Sequence, residues 1–514
     1  MKFYSLLTGE LASSSRSIER ARRHMVGPLW QFIFHTPLCR RYLIFASTIA
    51  ILQLIIFKIL YPFPDFISDS YSYISTNLYH MDVNLWPVGY SKFLWLVHLI
   101  SHSDLFLVAI QFIILEAALA YFFYTILYLY QPAKYITISL FIFLFLNPIF
   151  IYLSNCVLSD AVFTALTLIF LGQFLWMIHR PTTKQIIIQG LIIGVAFTIR
   201  YTAVYYPLVA IAGFIFTNQR VSVKIWGSLL GITLMIPFYL FTVQKTKEIT
   251  GTSEFSVFGG WQIANNALYM YDHIKVDTNK LPSGTIELDR LVRRFYSVVP
   301  AKYRDFGPFP GTYFIKVPYA VLKPYMFGRY TYDSPPGQFH SWGMVSPIYR
   351  KYGTYLILHF PLAFGRYYLW LNTKNYFLPH LEKFGSYNLE TNTVPIEVQD
   401  WFDLITPEVY SVSSTFQGKL FYVFPIIFMA LNLAFIGYLI RALSKKRWSL
   451  LKNGLRMGTL FIVGYLIVNF AFSIFATPIV LRYQIVPMIL LFTFSALLMD
   501  GLETPRTLKY ISKK

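Results

Sequence analysis

The chain has 514 residues, of which 56% are hydrophobic and only 13% charged, and it carries a formal net charge of +20. A soluble domain needs roughly a quarter of its residues charged to clothe its surface, so the composition excludes an ordinary globular enzyme and implies a polytopic membrane protein. The positive charge does not point to nucleic acid, because Lys and Arg gather in short clusters between apolar runs, as the positive-inside rule expects of cytoplasmic loops.

The chain opens with a basic arm, 1–40, containing "RSIERARRHMVGPLWQFIFHTPLCRR". The apolar run that follows is as long as a bilayer span of roughly 20 residues, too long for a cleaved signal peptide, and is expected to stay as an anchor. Apolar runs of comparable length predict spans near 41–62, 104–130, 135–153, 158–179, 185–200, 202–217, 225–244, 417–443, 455–477 and 479–499. Lys134, "HRPTTK", "NQRVSVK", "SKKRWSLLKNGLR" and the tail 500–514 with "RTLKYISKK" then fall on one side with the arm, taken as the cytoplasm. The expected fold is an all-α polytopic membrane protein of about ten transmembrane helices. Seven of them lie in 41–244 and three in 417–499.

Two regions face the other side, the first at 63–103 and a much longer one at 245–416 that holds most of the turn-forming sequence. Within the longer one, "GTYLILHFPLAFGRYYLWLN" at 353–372 is apolar enough to compete as a further span. A crossing there would move "SKKRWSLLKNG" outside against the charge rule, and His359, Pro361, Gly365 and Arg366 suit an interfacial helix, which is the reading adopted. Cys39 and Cys156 fall at opposite ends of spans, so no disulfide framework is expected.

Residues capable of chemistry lie at the rim of the predicted bundle. "PFPDFISDSYSYIS" places Asp65 and Asp69 directly after the first span. Asp69 is positioned to begin a helix after Pro64, where it either caps free amides or, as an ionised carboxylate at the bilayer edge, accepts a proton as general base. Arg200 sits at the apex of a tight hairpin and Arg482 opens the last span, each either snorkelling or meeting an anion. Arg366 is a third guanidinium at the interface. Asp160 opens the fourth span, where it also suits the helix dipole. In the long loop, "FGGWQIANNALYMYDHI" offers Asn265 and its neighbours as sugar-type hydrogen-bond partners or as a packed amphipathic helix, and "YDSPPGQFHSWG" offers His340 in a turn-rich setting.

The succession of "SDSYSYI", "LWPVGYSKFLWLVHLI", "LNPIFIYLSNCVLSDAVFTALTLIFL", "GVAFTIRYTAVYYPLVAI" and "TPIVLRYQIVPMILL" resembles the GT-C superfamily of integral membrane glycosyltransferases, in particular the bacterial branch of protein mannosyltransferases and aminoarabinose transferases. The matching residues are Asp69, Pro87 with Gly89 and Tyr90, Ser159 with Asp160, and Arg482 with Tyr483. The likeness covers about the first 220 residues and the last span. It departs from the family's pattern at Ser70, where Glu is frequent, in the single proline of "WPVGYS", and at Asp160, where Glu is commoner. This leaves open whether Asp65 supplies a second carboxylate.

The resemblance implies a polyprenyl-phosphate-linked sugar as donor, a lipid, glycan or protein acceptor, and displacement at the anomeric carbon on the periplasmic or exterior face of a bacterial inner membrane. Asp69 and Asp65 are then the catalytic candidates, and Arg482, Arg200 and Arg366 hold the phosphate. Tyr90, Asp160, Tyr483, Asn265 and His340 line the substrates. Asp65 with Asp69 would admit a hard divalent cation such as Mg or Mn, but no dense ligand cluster accompanies them, so metal-independent chemistry is expected. A transporter or flippase of a lipid-linked saccharide is the alternative function, and a noncatalytic scaffold a more distant one; neither accounts as well for charges gathered at one rim.

Overall fold

A computed structural model describes residues 27–304, 311–476 and 478–503. Most of the basic arm and the tail from 504 onward, both used above to orient the chain, lie outside the described residues, as does part of "GPFPGTY". The described chain is helical, with only isolated β-bridges, and contains eight helices long and apolar enough to cross a membrane. It is a multi-pass membrane protein. In lipid every backbone N–H and C=O must find its partner within the segment, and an apolar helix satisfies that demand locally.

The helices that position the site are α1 (Pro37–Leu60), α2 (Ser68–Leu78), α3 (Gly89–His98), α4 (Asp104–Tyr130), α5 (Lys134–Asn155), α6 (Asp160–His179), α7 (Thr183–Ile199), α8 (Tyr201–Ile215), α9 (Val221–Thr250), α10 (Val257–Leu268), α11 (Pro335–His359), α12 (Trp370–Phe377), α13 (Phe416–Leu443), α14 (Asn453–Phe475) and α15 (Leu481–Glu503). The predicted spans 185–200 and 202–217 correspond to α7 and α8, which are shorter apolar helices. The 17 residues of α7 rise only about 25 Å, short of a hydrocarbon core of about 30 Å. The segment 353–372 forms no single element. It begins inside α11, breaks at Phe360 and Pro361, passes through a wide turn at Gly365–Leu369 and enters α12.

Local chemistry sets the boundaries. Thr182 and Gln185 exchange hydrogen bonds as a capping box at the start of α7, its Oγ1 accepting from the Gln185 N–H (3.4 Å) and its N–H donating to Gln185 Oε1 (2.9 Å). Gly251, at φ +71°, ends α9 in the left-handed conformation that glycine adopts without strain. The membrane bundle has one core, and the long connecting region has a second, built on α10 and α11. Those two helices approach closely because Gly260 and Gly353 face the opposite backbone: an added Cβ would lie 2.0 Å from Ser346 O and 2.6 Å from Ile263 O. Trp261 stacks on Trp342 beside this contact, with ring centroids 4.1 Å apart. A third, smaller core holds α2 and α3 against the starts of α4 and α6.

A candidate active site at the ends of the spans

The first residue of α6, the residue after α7 and the second residue of α15 are Asp160, Arg200 and Arg482. These helix ends lie on the same side of the bundle, and two short extended pairings bring the connecting regions to them. The first joins Asp65 to Cys156: the Asp65 N–H donates to Asn155 O (3.0 Å) and the Val157 N–H to Asp65 O (3.2 Å), which draws the start of α2 toward α6. The second joins His380 to Val480, with the Leu481 N–H donating to His380 O (2.8 Å), and sets 382–383 beside Arg482.

The result is a charge cluster. Asp160 accepts from both guanidiniums, through a very short contact with Arg200 and a 2.8 Å bond from Arg482 Nη1. Arg482 also lies 3.6 Å from Asp69 and 3.4 Å from Glu382, and Glu382 pairs with Lys316 at 2.5 Å. Both guanidinium carbons stand 4.4 Å from the Tyr483 ring centroid, whose negative face helps two cations share one site. Lys383 is buried close by, with Asp69 and Glu382 the nearest favourable charges acting on it. Burial lowers its ammonium below the ordinary range. Burial alone would raise the Glu382 carboxyl, yet Arg482, Lys316 and Lys383 hold it down at about 2. Glu382 takes φ +48°, a left-handed conformation that costs a non-glycine residue of order 1 kcal/mol and that these pairings offset. Four cations thus meet the carboxylates Asp69, Asp160 and Glu382, which leaves the cluster with an excess of positive charge suited to an anion.

A cavity of about 420 Å³ opens onto this cluster, within the range of small-molecule sites. Asp69, Asp160, Arg200, Arg482 and Tyr483 line it. Its walls continue along the spans, polar at Thr164, Thr167, Tyr465 and Asn469 and apolar at Phe472 and Val486. Thr164 and Thr167 lie one and two turns beyond Asp160, about 6 and 10 Å along α6. Phe255, Phe258 and Gln262, from the region before and within α10, also line the cavity.

Asp69 lies in the first turn of α2, 22% exposed. The amide at that helix start is met by Ser70, whose Oγ accepts from the Ile67 N–H (3.1 Å), so Asp69 is left to face Arg482 and the cavity. Tyr73, one turn on, donates to or accepts from Ser159 Oγ (3.1 Å) and also lines the cavity.

The other candidates stand elsewhere. Asp65 is buried outside the cavity, where Oδ1 accepts from the Asn388 N–H (3.0 Å) and Oδ2 from Gln417 Nε2 (3.4 Å). Desolvation pushes its carboxyl up to about 7 in spite of those bonds. Four residues from Asp69, it does not share a face with it, because 65–67 are extended and not helical. Tyr90 is fully buried behind Tyr73, ring to ring at 4.7 Å, and donates to Gln111 Oε1 (2.6 Å). Asn265 is spent on the fold, donating to Gly311 O (2.6 Å) and accepting from the Phe314 N–H (3.2 Å). Arg366 is exposed over the Tyr367 ring, and His340 stands edge-on to Tyr330; neither lines the cavity. Glu382, Lys316 and Lys383 carried no signal in the sequence, since "HLEKFG" and "YFIKVP" read as ordinary connections and the groups that Glu382 meets, Lys316 and Arg482, are 66 and 100 residues away from it.

Among the described residues no group of three or more His, Cys, Asp or Glu side chains is placed to hold a metal ion. Asp69 and Asp160 are bridged instead by a guanidinium. Compared with known proteins, the chain matches no protein-family model, no curated protein and no solved structure.

Proposed function

We propose that this protein is an integral membrane glycosyltransferase of the GT-C kind, moving a sugar from a polyprenyl-phosphate donor to an acceptor at the membrane face that carries the long connecting regions. The observation that carries the proposal is one cavity at the ends of the spans that contains both a half-buried carboxylate, Asp69, and two guanidiniums, a partly buried Arg200 and a buried Arg482.

The acceptor hydroxyl gives its proton to Asp69 as its oxygen attacks the anomeric carbon. The bond from that carbon to the phosphate oxygen breaks, its electron pair stays on the phosphate, and polyprenyl phosphate leaves with one more negative charge than the donor carried. Arg200 and Arg482 are fixed cations where that charge develops, already desolvated and held in place by Asp160, so little reorganisation is needed as the bond breaks. The apolar wall at Phe472 and Val486 suits the first isoprene units, while the rest of the chain stays in lipid. The reaction face is assigned to the periplasm or exterior of a bacterial inner membrane, and the acceptor is a lipid, glycan or protein.

The test is the full chain in nanodiscs, supplied with a radiolabelled polyprenyl-phosphate hexose and a membrane extract as acceptor source. Wild type forms a new glycosidic bond. Asp69→Asn lowers the rate by ~100-fold or more with unchanged thermal unfolding. Wild-type rates in Asp69→Asn, or labelled lipid crossing proteoliposomes with no new bond, would sink the proposal; the second result would establish a flippase instead.

A further inference from the structure

Between Phe360 and Leu378 the chain is one continuous helical run, Pro361–Phe377, with the wide turn at Gly365–Leu369 in its middle. That turn absorbs an extra residue, so positions four apart stay on one face through it. Phe364, Tyr368, Asn372 and Tyr376 form the buried face. Leu362, Arg366, Trp370 and Lys374 form the other: Leu362 is 89% and Trp370 61% exposed, and both cations are exposed.

The buried face fixes where this stripe stands. Tyr368 donates to Phe475 O (3.1 Å), Asn372 to Ile474 O (3.0 Å) and Tyr376 to Asn469 Oδ1 (3.2 Å), so the run descends along the site end of α14. Asn469 is six residues inside that end, about 9 Å along the helix. The Tyr376 ring also packs on Phe470 of α14 (4.9 Å) and Phe428 of α13 (5.9 Å). Two membrane spans thus hold α12 where headgroups meet hydrocarbon, and its exposed face, like the exposed Ile467 of α14 and Ile426 of α13, looks into lipid. A cation at that depth calls for an anion. Among the described residues neither Arg366 nor Lys374 has a hydrogen-bond or ion-pair partner for its charged group, and Arg366 only overlies the Tyr367 ring. The acids of the adjoining segments are taken, Asp272 by Arg304 and Glu382 by Lys316 and Arg482.

From this we infer that Leu362, Arg366, Trp370 and Lys374 form a binding surface for anionic phospholipid in the leaflet at the site end of the spans. Phosphates meet Arg366 and Lys374, and acyl chains lie along Leu362 and Trp370. A zwitterionic headgroup brings its own ammonium, which opposes these cations, whereas a phosphatidylglycerol headgroup brings none. The surface is separate from the cavity, which none of the four residues lines. It stands on the multi-pass fold and holds whatever the cavity transfers.

The experiment titrates the full-length protein in neutral detergent with dioleoylphosphatidylglycerol, dioleoylphosphatidylcholine and undecaprenyl phosphate, counting bound lipid by native mass spectrometry and following thermal unfolding in parallel. Phosphatidylglycerol is expected to bind ~10-fold tighter than phosphatidylcholine. It should also raise the unfolding temperature, because it binds only the folded chain. Arg366→Gln with Lys374→Gln should erase the preference yet unfold as wild type does in detergent alone, since neither charge has a protein partner to lose. The charge-keeping pair Arg366→Lys with Lys374→Arg should retain it.

Equal affinity of the wild type for the two phospholipids overturns the inference, as does a Gln double variant that keeps the preference. The same loss in Arg290→Gln with Arg294→Gln, exposed cations of the helix Ile286–Val298, would make the effect one of net charge and also overturns it. A Gln double variant that loses undecaprenyl phosphate as strongly as phosphatidylglycerol would make the stripe a landing for any lipid phosphate, which equally refutes a phospholipid surface.

Discussion

Asp160→Asn is the substitution that tests the charge cluster most directly. Asp160 is 3% exposed and is the carboxylate shared by Arg200 and Arg482, themselves 14% and 4% exposed. Asparagine keeps the shape but removes the negative charge and turns an NH2 group toward one of two guanidinium donors. Breaking a buried ion pair by removing one partner costs about 3–5 kcal/mol, because the remaining charge is left uncompensated. The loss falls unevenly. Arg482 retains Glu382 at 3.4 Å and Asp69 at 3.6 Å, whereas Arg200 retains only the rings of Tyr483 and Phe163 among the contacts described.

The expected destabilisation is therefore about 3 kcal/mol, dominated by Arg200. Asp160→Asn with Arg200→Gln should recover much of it, giving a coupling energy of about 2 kcal/mol, whereas pairing Asp160→Asn with Arg482→Gln should recover less. The assay is a double-mutant cycle on reversible unfolding in lipid. If Asp160→Asn lies within about 0.5 kcal/mol of wild type and neither pair shows coupling, Asp160 is not the keystone of the site and the assigned arginine positions fall with it.

Other predictions concern the groups around the cluster. The Asp65 carboxyl is pushed up to about 7 from an ordinary value near 3.8. The folded protein thus holds this proton more tightly than the unfolded chain does, and stability should fall as pH rises from about 4 to about 7. Asp65→Asn, whose carbonyl still accepts from Asn388, should abolish that trend and raise the unfolding temperature above pH 7. Glu382 is shifted the other way, to about 2, so its contribution is complete above about pH 4.5 and lost as pH falls toward 2. Glu382→Gln should cost about 2 kcal/mol at neutral pH, with the difference from wild type shrinking below pH 4.5. Gly260→Ala forces a methyl into Ser346 O and should destabilise by about 1–3 kcal/mol or more, without altering donor affinity in protein that remains folded.

Several features of the molecule follow from residues read in isolation. A helix in lipid satisfies its own backbone, so each span is declared by its own run of apolar residues, and α1, α4, α6, α14 and α15 lie where those runs stand. Charged residues at the ends of such runs are dear to bury and therefore conspicuous, and this singles out Asp69, Asp160, Arg200 and Arg482 in the sequence. The shorter pair α7 and α8 and the break at Phe360 were less legible, because hydropathy measures how apolar a segment is and not where tertiary contacts interrupt it.

Only the folded chain decided which polar groups meet. Asp65 and Asp69 are near neighbours in sequence, yet an extended stretch sends one into the protein interior and the other to the cavity. Glu382 and Arg482 are remote in sequence, yet the His380–Val480 pairing sets them in contact. Apolar character is a property of each residue and survives in a string of letters, whereas an ion pair such as that of Asp160 with Arg482 is a property of distance, and distance exists only after the helices have packed.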